Sequence, residues 1–147
     1  QLYIPRTDVV SEAPEDGESI ALATGRGESV LVVEDDPALR NMIVSFLQKL
    51  GYAVRAASNG SEALAIAQRA GSIDLLLSDV ILPGDYSGPE LADEIAARVP
   101  AIRILLMSGY AADALERRAT SARYATPLQK PFSMGKLAQE IRAALSA

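Results

Sequence analysis

Five times between residue 30 and the C-terminus, a short run of consecutive apolar residues gives way to a helix-length amphipathic segment. The runs are VLVV at 30–33, YAVRAA at 52–57, LLLS at 75–78, RILLMS at 103–108 and the short PLQ at 127–129. Apolar residues at successive positions, rather than alternate ones, suit strands covered on both faces, as in a parallel sheet. The intervening segments carry helix punctuation. Asp36-Pro37 offers an N-cap followed by proline at the first helical position; Leu39, Ile43, Phe46, Leu47 and Leu50 then share a stripe, and Gly51 stops it. Further helices are expected over 59–70 with Gly71 as stop, from Gly88-Pro89 with Leu91, Ile95 and Val99 inward, over 112–119, and from a Ser133 cap with Leu137, Ile141 and Leu145 on one face. Right-handed crossovers between successive parallel strands place helices on both faces. The expected fold is therefore α/β, a doubly wound five-stranded parallel sheet.

The first residues break this pattern. SEAPEDGESIALATGRGE, residues 11–28, is acidic, contains Gly and Pro, and lacks helical or strand period, so it reads as a linker. A tail over 1–28 ahead of one domain over 29–147 fits the length, since 147 residues hold one domain with a real core more comfortably than two. The chain opens on Gln1 rather than Met, which points to a fragment of something longer, and with no effector domain after Ala147 direct transcriptional output from this chain is not expected.

What the chain lacks narrows its chemistry. Without cysteine there is no disulfide framework and no thiolate zinc site, and without histidine the commonest general base and transition-metal ligand are gone. Carboxylates, hydroxyls, lysines and backbone remain. A net charge of −5 and no basic stripe argue against nucleic-acid binding. No apolar run approaches the roughly 20 residues that cross a bilayer, so no membrane contact and a cytoplasmic location are expected.

In a doubly wound sheet, ligands bind outside the carboxyl ends of the strands. There the sequence puts Glu34, Asp35 and Asp36 after the first strand, Asp79 at the end of the third, Ser108 at the end of the fourth and Lys130 at the end of the fifth. Carboxylates gathered at one rim repel unless a cation neutralises them, and an oxygen-only donor set favours a hard ion, Mg²⁺ over zinc. Lys130 would add a compact positive charge and Ser108 a hydroxyl donor, a set suited to a phosphoryl group. With no histidine or cysteine, the available nucleophile is a carboxylate giving an aspartyl-phosphate, and Asp79, standing apart from the acidic run, is the natural choice. Each residue also has a plain structural reading: Asp36 as a helix cap, Glu34 and Asp35 as a solvated turn, Ser108-Gly109 as a strand-ending turn, Lys130 as a surface lysine before Pro131.

VLVVEDDPALR, LLLSDVILPG, ILLMSGYA and LQKPF, in that order, resemble the acidic pocket, acceptor loop, switch hydroxyl and lysine-proline motif of the receiver domain of two-component signalling. The spacings agree, with 79 − 35 = 44 positions from Asp35 to Asp79 and 130 − 108 = 22 from Ser108 to Lys130. The resemblance implies a flavodoxin-like receiver fold that takes a phosphoryl group from a phosphohistidine donor, a histidine kinase or histidine phosphotransfer protein, and then switches conformation. It implies Asp79 as phospho-acceptor, Asp35 as direct Mg²⁺ ligand, Glu34 as the second acid of the pocket, and the Ile81 carbonyl as a further ligand. Ser108 becomes the switch hydroxyl, Lys130 the phosphoryl-contacting amine, and Lys130-Pro131 a cis peptide. Such a domain catalyses its own phosphotransfer and dephosphorylation.

Two departures stand out. The family usually has an aromatic residue three places before the lysine; here 130 − 3 = 127 is proline, which excludes a ring-flip switch there and leaves Tyr124 or Tyr110 as weak substitutes. PGDYSG, 83–88, is one residue longer than the common loop and resembles receivers attached to hybrid sensor kinases. LYIPR, 2–6, looks like the last strand of a kinase ATP-binding domain, which would make this the C-terminal receiver of a hybrid kinase. Two other function classes are weighed. A haloacid-dehalogenase phosphatase needs Asp-x-Asp-x-Thr after the first strand, which EDDPAL lacks; a docking domain without phosphorylation would have little use for an intact pocket. Input signal, partner, output and oligomeric state are not written in the sequence.

Overall fold

The structure, a computed structural model, describes residues 25–109 and 127–146. The helix expected over 112–119, Tyr110, Tyr124 and the tail before residue 25 lie outside the described residues. In chain order the elements are β1 (Ser29–Val33), α1 (Pro37–Lys49), β2 (Ala53–Ala57), α2 (Gly60–Ala70), β3 (Leu75–Asp79), α3 (Gly88–Arg98), β4 (Arg103–Ser108), β5 (Leu128–Gln129) and α4 (Met134–Ser146). The strands form one five-stranded sheet in the order β2-β1-β3-β4-β5, every pair parallel. This is the doubly wound order whose switch point lies between β1 and β3.

The consecutive apolar runs are explained by two cores, one per face. Val30, Val32, Leu75, Leu77, Leu105 and Met107 meet Ile43 and Leu47 of α1 and Leu137 and Ile141 of α4. Leu31, Val33 and Leu76 point the other way, onto Ala63 and Leu64 of α2 and Leu91 and Ile95 of α3. Successive residues of the central strands β1 and β3 thus feed one core and then the other, and neither strand leaves a face to water.

Caps start the helices where the sequence places them. Asp36 Oδ1 accepts from Ala38 N at 3.0 Å, Asn59 Oδ1 from Glu62 N at 2.8 Å and Ser133 Oγ from Lys136 N at 3.0 Å. For α3 the cap is Ser87, in a reciprocal capping box with Glu90, one residue ahead of the Gly-Pro pair that marks its start in the sequence. Gly51 and Gly71, at φ +101° and +83°, supply the left-handed turns that end α1 and α2. The lower end of the sheet is closed by residues 25–28: Gly25 N donates to Leu50 O at 2.8 Å, Gly27 N to Gly51 O at 2.9 Å, and Ala53 N to Glu28 O at 2.9 Å. Arg142 of α4 pairs with Glu28 at 2.7 Å.

Candidate functional site

Because all five strands point the same way, their last residues share one rim. β1 delivers Glu34 and Asp35, β3 delivers Asp79, β4 delivers Ser108 and β5 delivers Lys130. The loops at this rim are pinned by backbone hydrogen bonds between neighbouring strand ends: Glu34 N to Ala57 O at 3.1 Å, Val80 N to Met107 O at 2.8 Å, and Lys130 N to Ser108 O at 2.8 Å. The Lys130-Pro131 peptide is cis.

Lys130 is the hub. Its Nζ lies 2.6 Å from Asp79 Oδ1 and 2.8 Å from Glu34 Oε1. Asp79 is 6% exposed and Glu34 1%. One carboxylate oxygen from each of Glu34, Asp35 and Asp79 can be chosen so that all lie within 4.8 Å of one another. Glu34 is held from two further sides, since its Oε2 accepts from Asp36 N at 3.0 Å and its carbonyl accepts from Arg40 Nη1 at 2.8 Å. Asp36 is therefore a cap whose backbone also serves the pocket. Ile81, two residues past Asp79, turns its side chain to solvent at 53% exposure. Ser108 Oγ is buried and has no hydrogen-bond partner among the described residues.

Two buried carboxylates with one ammonium between them cannot share charge equally. Burial raises Asp79 most, its hydrogen-bonded neighbour Glu34 raises it further, and Lys130 only partly offsets this, leaving it at about 7. Burial also acts to raise Glu34, but hydrogen bonds from Asp79, Lys130 and the Asp36 N–H outweigh it, and the group lies below the usual carboxylate range. Burial works against the Lys130 charge, yet its bonds to Asp79 and Glu34 hold it above its ordinary value. The pocket is thus short of positive charge: Asp79 holds a proton around neutrality because one lysine does not neutralise the cluster.

The residues fit a hard divalent cation on three grounds: an all-oxygen donor set, mutual distances that one ion can span, and that charge deficit. Ser108 Oγ, an orphaned buried hydroxyl at the same rim, fits a group that arrives later.

Two supporting residues escape a reading of the sequence. Arg40 reaches back six positions from α1 to fix the Glu34 carbonyl; an arginine in the first turns of a helix carries no local signal of that reach. Gly88 is required because a Cβ there would lie 2.0 Å from Asp79 O, so the start of α3 rests on the backbone of Asp79 itself. Its place at a Gly-Pro helix start could have been read as close approach as well as punctuation. In the longer loop, Tyr86 lies over Gly60 at the start of α2, where a Cβ would come within 2.6 Å of the tyrosine Cβ.

Comparison with known proteins agrees with this fold. Residues 30–142 match the family described as response regulator receiver domain. The receiver protein CpdR of Brucella abortus is 36% identical over 118 residues, covering 80% of this chain and 97% of that protein. The sensor kinase CckA of the same organism is 39% identical over 115 residues, which are 78% of this chain but only 12% of the kinase. Among solved structures, a receiver protein from Sinorhizobium medicae superposes with a TM-score of 0.73 at 26% identity, covering 82% of this chain and 96% of that one. The chemotaxis regulator CheY4 of Vibrio cholerae gives 0.70 at 28% identity, covering 80% and 98%.

Proposed function

From the premise that this chain belongs to the response regulator receiver family, and is a phosphoacceptor domain of two-component signalling, we propose which residues carry that function and with what partners. Asp79 is the phospho-acceptor. Glu34, Asp35, Asp79 and the Ile81 carbonyl would hold Mg²⁺, which when bound supplies positive charge to the phosphoryl oxygens and to the acidic cluster.

The chain's own groups do the rest. An Asp79 carboxylate oxygen attacks the phosphorus of a phosphohistidine; the new O–P bond forms as the N–P bond breaks, and the imidazole leaves with the bonding pair. Lys130, already 2.6 Å from Asp79 Oδ1, keeps the acceptor oriented and can follow the negative charge onto the phosphoryl oxygens. Ser108 Oγ, without a hydrogen-bond partner among the described residues, gains one when it donates to the phosphoryl group. Hydrolysis by water returns Asp79 and inorganic phosphate. The Asp79–Lys130–Glu34 contact, with Asp35 beside it, carries this reading.

Receiver domains work with histidine kinases or histidine phosphotransfer proteins, and one of these is the donor here. The proposed domain spans 29–147, with 1–28 tethering it to a preceding kinase ATP-binding domain whose last strand is 2–6. The 39% identity to a sensor kinase of which the chain covers 12% supports that hybrid origin. Among the described residues no helix is long and apolar enough to cross a membrane, which is consistent with a cytoplasmic receiver.

Intact mass after incubation with acetyl phosphate tests the assignment, on this chain and on Asp79→Asn, with and without Mg²⁺. One Mg²⁺-dependent phosphoryl adduct, absent in the variant, is expected. An adduct unchanged in Asp79→Asn would remove Asp79 as acceptor. No adduct on either protein would leave a docking role, while sustained release of phosphate over many turnovers would favour a phosphatase.

A further inference from the structure

One edge of the sheet is β2, which pairs only with β1 among the described strands. Its other side offers backbone N–H and C=O groups to whatever comes near, an arrangement that folded proteins commonly cover or charge. Here a groove of about 460 Å³ runs between β2 and α2, lined by Arg55, Ala56, Ile66, Arg69 and Ala70. Both arginines are exposed, and neither forms an ion pair among the described residues; Arg55 reaches only Ser29 Oγ, at 3.4 Å. The groove is therefore apolar at its floor and carries two positive charges at its sides.

Residues 12–18, EAPEDGE, hold four carboxylates and no basic residue. The chain that carries them is rooted beside this edge. Gly25 is fixed against Leu50 and Tyr52, and Ala53, the first residue of β2, bonds to Glu28. From Glu18 to Gly25 there are 25 − 18 = 7 residues, a reach of up to about 25 Å. Arg55 lies two strand positions past Ala53, roughly 7 Å along β2. Arg69, in the last turn of α2, lines the same groove. A second groove, bordered by Asp85, Glu90, Asp93 and Glu94, would repel an acidic segment.

We propose that residues 12–18 dock in the groove along the free edge of β2, their carboxylates paired with Arg55 and Arg69. Tethering raises the segment's local concentration enough for a few exposed ion pairs to hold it, although the same segment added separately would bind weakly. Docked, it covers the sheet edge and fixes the path by which whatever precedes it leaves the domain.

The absence of cysteine makes the test direct. A nitroxide on Gln68→Cys, an exposed position next to Arg69, is read by NMR through its broadening of the amides of residues 12–18. Those signals should lose more than half their intensity at low salt. They should recover at about 1 M salt, where the screening length is about 3 Å, and in the double variant R55E/R69E. Reversing Glu12, Glu15, Asp16 and Glu18 to Lys in that background should bring the broadening back. Strand amides of β3 monitor folding in every variant, and the salt arm stands even where a variant does not fold. Absence of broadening in the parent chain, or broadening indifferent to salt and to charge reversal, overturns the proposal. So does broadening seen only when spin-labelled and isotope-labelled molecules are mixed, since the occupant would then be a second copy.

Discussion

Replacing Asp79 by Asn should change how stability depends on pH, by an amount the pocket sets. Asp79 sits at about 7 against an ordinary 3.8, because burial and Glu34 together outweigh Lys130. A group whose folded value is raised contributes stability that is fully present below its unfolded value and is lost as pH climbs through the folded one. At pH 5 the folded chain keeps the proton and Asp79 resembles the neutral amide; by pH 8 it is ionised in a site that disfavours its charge. Between those points the parent chain, without metal, should lose roughly 2–3 kcal/mol relative to Asp79→Asn, most of it between pH 5 and 7, with the trend levelling off by pH 8. Urea unfolding in EDTA at pH 5, 6, 7 and 8, on both proteins, measures the difference. Saturating Mg²⁺ should abolish most of the trend in the parent, since the cation then satisfies the carboxylate that the proton satisfied. A stability difference that stays constant from pH 5 to 8, or that moves in the opposite direction, would refute the charge-deficient pocket.

Three other substitutions follow from the same contacts. Lys130→Met removes the ammonium from two buried carboxylates; the loss in EDTA should be about 2 kcal/mol, below the 3–5 typical of a fully buried pair because Lys130 is partly exposed, and added Mg²⁺ should recover more stability than in the parent. Gly88→Ala places a Cβ 2.0 Å from Asp79 O, and with backbone on both sides thermal unfolding should reveal a cost of about 3 kcal/mol or more, together with weakened Mg²⁺ binding as the Asp79 backbone shifts. Ser108→Ala deletes a buried hydroxyl that has no partner among the described residues, so urea unfolding of the unphosphorylated protein should show no loss or a gain of up to about 1 kcal/mol, while the lifetime of the acyl phosphate, followed by mass, should change.

The sheet was legible because its signal is local and redundant. LLLSD is apolar at positions that feed opposite cores, and no other element tolerates that so well as a strand covered twice. Glu34, Asp35, Asp79, Ser108 and Lys130 were legible because strand ends in a parallel sheet converge on one rim whatever the loops do. The pairing within the cluster was not. Nothing in the sequence says that Lys130 splits itself between Asp79 and Glu34, or that Glu34 keeps its charge while Asp79 surrenders it; those depend on distances of 2.6 and 2.8 Å and on unequal hydrogen bonding. The role of Gly88 was hidden for a related reason. Its neighbour in space is a carbonyl nine positions away, across a loop whose path had to be known first.

Pro127 poses the question of how a change at the acceptor reaches the rest of the domain. It is buried at the position where the family commonly places an aromatic ring. A pyrrolidine has no side-chain rotamers by which to swing between inside and outside. Yet the two groups proposed to meet the phosphoryl oxygens are already joined, because Ser108 accepts through its carbonyl from the Lys130 N–H at 2.8 Å. A shift of Ser108 toward Asp79 therefore pulls on the end of β5 through the backbone, and Lys130, released from Glu34 by the added charge, moves with it. On this account the signal passes as a displacement of the β4 and β5 ends, with Pro127 as a stiff follower. Pro127→Tyr should then leave phosphorylation of Asp79 intact and, by NMR, add a phosphorylation-dependent ring environment at 127 that the parent does not need. If instead the parent shows no shift of the β5 amides on phosphorylation, this backbone route is wrong.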